Sequence, residues 1–261
     1  MRVTVKTLLE KKKKKEKAVL LTAYDYTLAR IEDEEGIDVI LVGDSVGMVL
    51  LGYEDTIPVT MEEMLVFLKA VRRGVERAMV VADMPFLSYQ VSCEEAVRNA
   101  GRFLKEGADA VKLEGGREVL DKIKALINSG IPVMGHLGLN PQWVRQWGGY
   151  RRFGKTEKER KKIMEDALLL QDAGVFSIIL ESVSPSLAKE ITEKLEIPVY
   201  GIGSGPHCDG QILVVHDILG FSPHIPSHAK VYVNLLEEAR RAVRKYIEEV
   251  KGGVYPEEKD S

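Results

Sequence analysis

The chain has 261 residues, 45% hydrophobic and 30% charged, and its 37 basic and 40 acidic side chains leave a net charge of −3. This composition excludes a disordered chain, because the apolar surface suffices to offset ordering entropy, and it offers no global basic field for nucleic acid. No apolar run approaches the roughly 18 residues of a membrane span, the N-terminus lacks an apolar signal core, and Cys93 and Cys208 are too few for a disulfide framework, so a cytoplasmic protein is expected.

At the N-terminus Val5–Leu9 is a short amphipathic stretch, read as a short helix. The lysines from Lys11 to Lys15 after it are read as a solvated helix face or turn. Ala18–Tyr24 is the first buried strand, and Thr27–Glu35 follows as a helix. Next come Val39–Val42, ending on Gly43-Asp44-Ser45, and Met79–Ala82, ending on Asp83-Met84-Pro85. A helix over Cys93–Glu106 leads to the strand Ala110–Leu113, which ends on Glu114-Gly115-Gly116. A helix over Glu118–Asn128 then precedes Pro132–Gly135 and His136. The last strands are Ser177–Leu180 before Glu181, Val199–Ile202 before Gly203-Ser204-Gly205, and Ile212–Val215, with a helix over Ser186–Leu195.

These eight apolar runs are near-continuous rather than alternating, as in parallel strands buried on both faces. Eight units in about 200 residues predict a single-domain α/β protein, a (β/α)8 TIM barrel over 1–261, with a frayed polar tail over 251–261. The aromatic, basic segment Leu137–Thr156 is a long loop after the fifth strand and a candidate lid. Low Asn and Gln counts, four and five, beside many charged residues resemble a thermophile's surface.

In such a barrel the active site lies at the C-terminal strand ends, which gathers Asp25, Asp44, Ser45, Asp83, Lys112, Glu114, His136, Glu181, Ser204 and Asp217. Asp44, Asp83 and Glu114 are hard oxygen ligands of the kind that hold Mg²⁺. Lys112 lies two residues before Glu114, so both leave the strand on one face, where the lysine suits a substrate carboxylate. Plainer readings stand beside these: Asp44-Ser45 as a helix cap, Asp83 as turn chemistry, Glu114 as the ion-pair partner of Lys112, and His136 as a core histidine. His216 and Asp217 read as packing or capping groups, the glycine cluster 201–205 as tight backbone packing, and the two cysteines carry no assigned role.

The sequence resembles the ketopantoate hydroxymethyltransferase family. The match is an ordered succession: Leu21-Thr-Ala-Tyr-Asp25, Val42-Gly-Asp-Ser-Val-Gly-Met-Val49, Ala82-Asp-Met-Pro-Phe86, Val111-Lys-Leu-Glu-Gly115, Gly135-His-Leu-Gly-Leu139 with Pro141-Gln142, Ile179-Leu-Glu181, Gly201-Ile-Gly-Ser-Gly205 and Asp209-Gly-Gln-Ile-Leu213. Val66-Phe67, His207-Cys208 and the segment 221–228 depart from the family pattern. The resemblance implies a Mg²⁺-dependent barrel transferring a hydroxymethyl group from 5,10-methylenetetrahydrofolate to α-ketoisovalerate in pantothenate (coenzyme A) biosynthesis. It implies that Asp44 and Asp83 bind Mg²⁺, with Glu114 completing the site directly or through water. Ser45 and Lys112 then hold the keto acid's carboxylate, His136 lines the pocket and Glu181 is the general base. It also implies a homo-oligomer, typically a decamer.

This chemistry fits the residues: removing a C3 proton from a keto acid needs a base and a Lewis acid at the C2 carbonyl oxygen. The nearest alternative is another Mg²⁺-dependent aldolase or lyase acting on a keto acid on the same barrel. A non-catalytic ligand-binding barrel is the alternative from another class.

Overall fold

Apolar strands of four to six residues, separated by helical segments, can bury both faces only if the sheet closes or is covered on each side. Here it closes. In the computed structural model, which describes residues 2–222 and 224–256, eight strands pair in sequence order and the last returns to the first. They are β1 (Ala18–Thr22), β2 (Val39–Val42), β3 (Met79–Asp83), β4 (Ala110–Glu114), β5 (Val133–Gly138), β6 (Ser177–Glu181), β7 (Val199–Ile202) and β8 (Gly210–Leu213). Every pairing is parallel. The architecture is the expected (β/α)8 barrel.

The chain divides into two compact units, Met1–Val214 and Val215–Ser261. The first holds the barrel with α1 (Val5–Lys14), α2 (Tyr26–Glu34), α3 (Val46–Val49), α4 (Met61–Gly74), α5 (Cys93–Lys105), α6 (Leu120–Asn128), α7 (Val144–Trp147), α8 (Glu157–Ala173) and α9 (Pro185–Lys194). The second holds α10 (Val215–Ile218) and α11 (Leu235–Lys251). The tail read as frayed over 251–261 is described only as far as Pro256; the rest lies outside the described residues.

Local chemistry sets the helix ends. Thr60 and Glu63 form a reciprocal capping box that starts α4, and Gly174, with φ at 96°, ends α8 in the left-handed conformation that glycine adopts without steric cost. Asp25 caps α2 by accepting the Leu28 N–H at 2.9 Å, which gives it a structural task.

Side chains alternate along a strand, so every second residue points into the barrel. The buried cluster there contains Leu20, Leu41, Met79, Val81, Ala110, Met134, Ile179, Tyr200 and Ile212, with Val3 and Leu8 packed among them. Two residues further along the same rows stand Asp83, Lys112, His136 and Glu181, with Glu114 one step beyond Lys112. The period of two thus turns an apolar base into a polar rim.

At the opposite end, aspartates just ahead of three strands accept hydrogen bonds from neighbouring strands: Asp38 from Val19 N–H, Asp109 from Val80 N–H and Asp209 from Val199 N–H. Basic groups from the N-terminal segment pair with the same three, Lys11 to Asp38 at 3.2 Å, Arg2 to Asp109 at 2.6 Å and Lys12 to Asp209 at 2.7 Å. The lysine run is therefore only partly the solvated face expected of it. Lys13, Lys14 and Lys15 are exposed, while Lys11 and Lys12 tie α1 to the barrel.

Three strands differ from their expected boundaries by two residues or more, and β1 ends at Thr22, two residues short of Tyr24. β5 runs on through His136 to Gly138 instead of stopping at Gly135, since His136 keeps pairing with Glu114 and Ile179. β8 begins at Gly210, two residues before the expected Ile212, and Val215 already belongs to a helix. Gly210 sits where a Cβ would lie 2.2 Å from the Ala18 carbonyl oxygen, so only glycine permits that start.

One buried acid stands outside all these pairings. Glu32 on α2 is 5% exposed, and neither carboxylate oxygen has a hydrogen-bond partner. Burial, and secondarily the charge of Asp25, push its pKa from 4.5 up to about 9. The folded chain therefore keeps a proton that the unfolded chain releases above pH 4.5, and stability falls as pH rises from there toward 9. Between pH 4 and pH 7, Glu32→Gln is expected to gain about 3 kcal/mol relative to the natural chain. Urea unfolding at both pH values measures this, and parallel pH dependence in the two proteins would refute a buried, protonated Glu32.

Candidate active site

The site rises from the register of the strands. Asp83 is the register partner of Lys112, and Glu114 of His136. Asp44 follows β2 by two residues, and its backbone N–H donates to Asp83 Oδ2 at 3.3 Å. Glu181 closes β6, opposite Gly138 of β5. Six residues expected from four strand ends and one loop thus meet at one barrel mouth.

Lys112 is the hub. Its ammonium donates to both oxygens of Asp83 at 2.7 Å and lies 3.7 Å from Glu114 Oε1, at 3% exposure. Burial alone would lower its pKa, but the charges of Asp83, Glu114 and Asp44 outweigh that and hold it above the ordinary lysine range. Asp44 moves the other way: burial first, then Asp83, push its pKa up to about 8, against the pull of Lys112. Glu114 is driven well above the usual carboxylate range by burial, with Lys112 opposing and Asp44 and Asp83 adding to the shift.

His136 stands between two acids, Nε2 3.2 Å from Glu181 Oε2 and Nδ1 3.9 Å from Glu114 Oε1. Burial, reinforced by the charge of Lys112, lowers its pKa despite the opposing pull of Glu181, which favours the neutral ring. Glu181 retains 15% side-chain exposure and is the acid of the group that reaches toward solvent. Ser45 does not cap α3; its Oγ instead shares a hydrogen bond with the Tyr24 hydroxyl at 2.7 Å.

Among the described residues, no group of three or more His, Cys, Asp and Glu side chains is arranged as a ready metal cage. Lys112 occupies both oxygens of Asp83. The donor set nonetheless fits a hard cation. Glu114 Oε1 is a fully buried acceptor without a hydrogen bond, and Asp44 and Glu114 are held in surroundings that disfavour negative charge unless a cation compensates it.

Two residues of this assembly had no role in the sequence reading. Gln142 donates to Asp44 Oδ2 at 2.9 Å, and the Tyr89 hydroxyl donates to Gln142 Oε1 at 2.8 Å. Gln142 was visible only as part of the Pro141-Gln142 motif, and Tyr89 follows its strand by six residues, too far for a strand-end rule. Ser204 is not part of the cluster described here: its Oγ donates to the Leu180 carbonyl at 2.7 Å and accepts the Val183 N–H at 3.0 Å, in keeping with a structural role for the glycine segment.

The long loop is more regular than its composition suggests. It contains α7, and Trp147 packs on Phe153 with ring centres 4.4 Å apart, while the Arg151 guanidinium lies 3.9 Å over the Phe153 ring. Tyr150 remains 55% exposed.

A closed parallel barrel with a buried lysine, clustered carboxyls and a histidine at its C-terminal mouth is built as a TIM-barrel enzyme. The chain belongs to the ketopantoate hydroxymethyltransferase family, whose model matches residues 2–258. It is 55% identical to a 3-methyl-2-oxobutanoate hydroxymethyltransferase of Syntrophus aciditrophicus, covering 100% of this chain and 96% of that one. It is 57% identical to the enzyme of that name from Thermotoga neapolitana, covering 96% and 93%. Among solved structures it is similar to a phosphonopyruvate hydrolase complex with oxalate and Mg²⁺, with a TM-score of 0.64 at 12% identity over 96% of this chain and 88% of that one. It is also similar to 2,3-dimethylmalate lyase, with a TM-score of 0.61 at 16% identity over 98% and 90%. At such identities the solved structures bear on the fold alone.

Breaking a buried ion pair from one side strands the other charge. Lys112→Met is expected to lower the unfolding free energy by about 3–5 kcal/mol. Urea titration at pH 7 tests this; an unchanged midpoint would mean that Lys112 and Asp83 do not form a stabilising pair.

Proposed function

We propose that this chain transfers a hydroxymethyl group from 5,10-methylenetetrahydrofolate to 3-methyl-2-oxobutanoate (α-ketoisovalerate), giving ketopantoate for pantothenate biosynthesis. The observation that carries this is the family match over 2–258 together with a site that supplies each group the reaction needs. Asp44, Asp83 and Glu114 would hold Mg²⁺, which supplies a Lewis acid for the keto oxygen. Lys112 and Ser45 bind and orient the keto acid's carboxylate, fixing C3 toward β6.

Water releases the folate-borne methylene as formaldehyde, its two C–N bonds breaking and the two folate nitrogens taking the protons as tetrahydrofolate leaves. Glu181 takes the proton from C3, whose electron pair forms the new C–C bond to that formaldehyde carbon, and the formaldehyde oxygen takes a proton to become the hydroxymethyl group. His136, neutral and 3.2 Å from Glu181, lines the pocket and orients that carboxylate without neutralising it. The buried walls exclude water from the reacting carbon. The loop 137–156 serves as the lid over the second substrate, a role supported by the packing of Trp147 on Phe153 and the bridge from Phe153 to Val183, two residues past β6.

The reading includes a cytoplasmic homo-oligomer, with a decamer as the expected size. It is supported by α11, none of whose residues is buried and which exposes Val243, Tyr246, Ile247 and Val250. No described helix is long and apolar enough to cross a membrane.

Proton NMR of α-ketoisovalerate in D₂O tests the reaction. Mg²⁺-dependent loss of the C3 proton signal is expected with the protein, and ketopantoate on adding methylenetetrahydrofolate. Glu181→Gln should slow both by about 10²–10⁴-fold while leaving keto-acid binding intact. Unchanged exchange in that variant would remove Glu181 as the base, and absence of ketopantoate from the natural chain would overturn the substrate assignment in favour of a keto-acid aldolase or lyase.

A further inference from the structure

Gln142 lies in the loop after β5 at 2% exposure, and its side-chain amide is engaged at both ends. Nε2 donates to Asp44 Oδ2 and to the Met84 carbonyl, each at 2.9 Å. Oε1 accepts from the Tyr89 hydroxyl at 2.8 Å and from Gln90 Nε2 at 3.3 Å. The backbone N–H of the same residue donates to Glu114 Oε2 at 3.0 Å. The amide cannot turn over without facing its oxygen to the Met84 carbonyl and its nitrogen to a donor, so the nitrogen is fixed toward Asp44.

One residue thereby occupies one oxygen of Asp44 and one of Glu114. The second oxygen of Glu114 is left buried and without a hydrogen bond, and Asp83 has both oxygens engaged by Lys112. A hydrogen bond takes one lone-pair site of an oxygen and leaves the other oxygen the readier ligand, so Asp44 and Glu114 each favour a cation through a single oxygen. Mg²⁺ suits such ligands because it takes six in a tight octahedron and keeps several waters, whereas Ca²⁺ favours six to eight oxygens and accepts bidentate carboxylates.

We propose that Gln142 is a positioning residue that keeps Asp44 and Glu114 monodentate and so selects a small octahedral cation over Ca²⁺. This rests on the reading of Asp44, Asp83 and Glu114 as cation ligands. Leucine at this position frees an oxygen on Asp44, and a carboxylate there would add a fourth acid and no donor. Tyr89 supports the arrangement, since its oxygen also accepts the Glu114 N–H at 3.2 Å while its hydroxyl orients Gln142.

The test is Mn²⁺ binding to the full chain, read as the EPR signal of free Mn²⁺, with Mg²⁺ and Ca²⁺ as competitors and no organic substrate. The quantity is the ratio of the Ca²⁺ to the Mg²⁺ concentration that displaces half the Mn²⁺. In Gln142→Leu this ratio should fall about tenfold or more, and in Tyr89→Phe it should fall in the same direction by less. A residue that merely holds the loop would weaken all three cations together and leave the ratio unchanged. A folded Gln142→Leu with an unchanged or raised ratio overturns the proposal; should that variant not fold, an unchanged or raised ratio in Tyr89→Phe overturns it. If the natural chain binds no Mn²⁺, the cation reading of the acids falls, and the selectivity role with it; normal Mn²⁺ binding with an unmoved ratio sinks the selectivity role alone.

Discussion

Lys112 carries its charge inside the barrel with only 3% of its surface exposed, and Asp83 meets it with both oxygens at 2.7 Å. Taking an ammonium out of water costs several kcal/mol even after the protein relaxes, so the position is tenable only with such a partner. The pairing in turn requires that β3 and β4 hold the register that sets Asp83 against Lys112, since a shift of one residue would turn the lysine outward. Three carboxyls nevertheless surround one ammonium. The excess acid emerges as protonation, with Asp44 raised to about 8 and Glu114 higher than any ordinary carboxylate. A site that keeps acids this reluctant to ionise gains most from a cation that compensates them.

The two ends of the barrel divide the work. At the base, Asp38, Asp109 and Asp209 accept strand N–H groups and are neutralised by Lys11, Arg2 and Lys12, so charge there completes hydrogen bonds the sheet would otherwise lack. The rows above fill the interior with Leu, Val, Met and Ile. At the rim the polar groups are imperfectly matched. Glu114 Oε1 is buried without a hydrogen bond, and His136 Nδ1 comes no nearer than 3.9 Å to Glu114 Oε1. Unmatched groups of this kind cost stability and are tolerated where they meet a ligand.

How much of this was legible in the sequence follows from how local each signal is. Near-continuous apolar runs fixed the strands to within a residue or two, because burial on both faces leaves no alternation to misread. The exception, β5, runs three residues past the expected Gly135 because the pairing of His136 with Glu114 and Ile179 is a property of the closed sheet. Asp44, Asp83, Lys112, Glu114, His136 and Glu181 were legible as residues at or just past strand ends. Asp25 obeyed the same rule and proved to be a helix cap, and Ser204 to be a strand-to-strand bridge, since the rule says where a residue stands and not what it meets. Gln142 and Tyr89 escaped notice because their importance lies in partners 98 and 25 residues away.

The angular order of the strands separates two kinds of chemistry. Asp44, Asp83, Lys112 and Glu114, from β2 to β4, form a dry, charged half, while Glu181 on β6 retains contact with solvent. His136 on β5 lies between them, within 3.9 Å of Glu114 and 3.2 Å of Glu181. A charged imidazolium there would bind both acids and merge the halves. Burial and Lys112 keep the ring neutral, and a neutral ring has one N–H to give. It can therefore direct one acid while leaving the other to its own partners. The same ammonium that anchors Asp83 thus adds to burial in favouring the neutral imidazole beside Glu181.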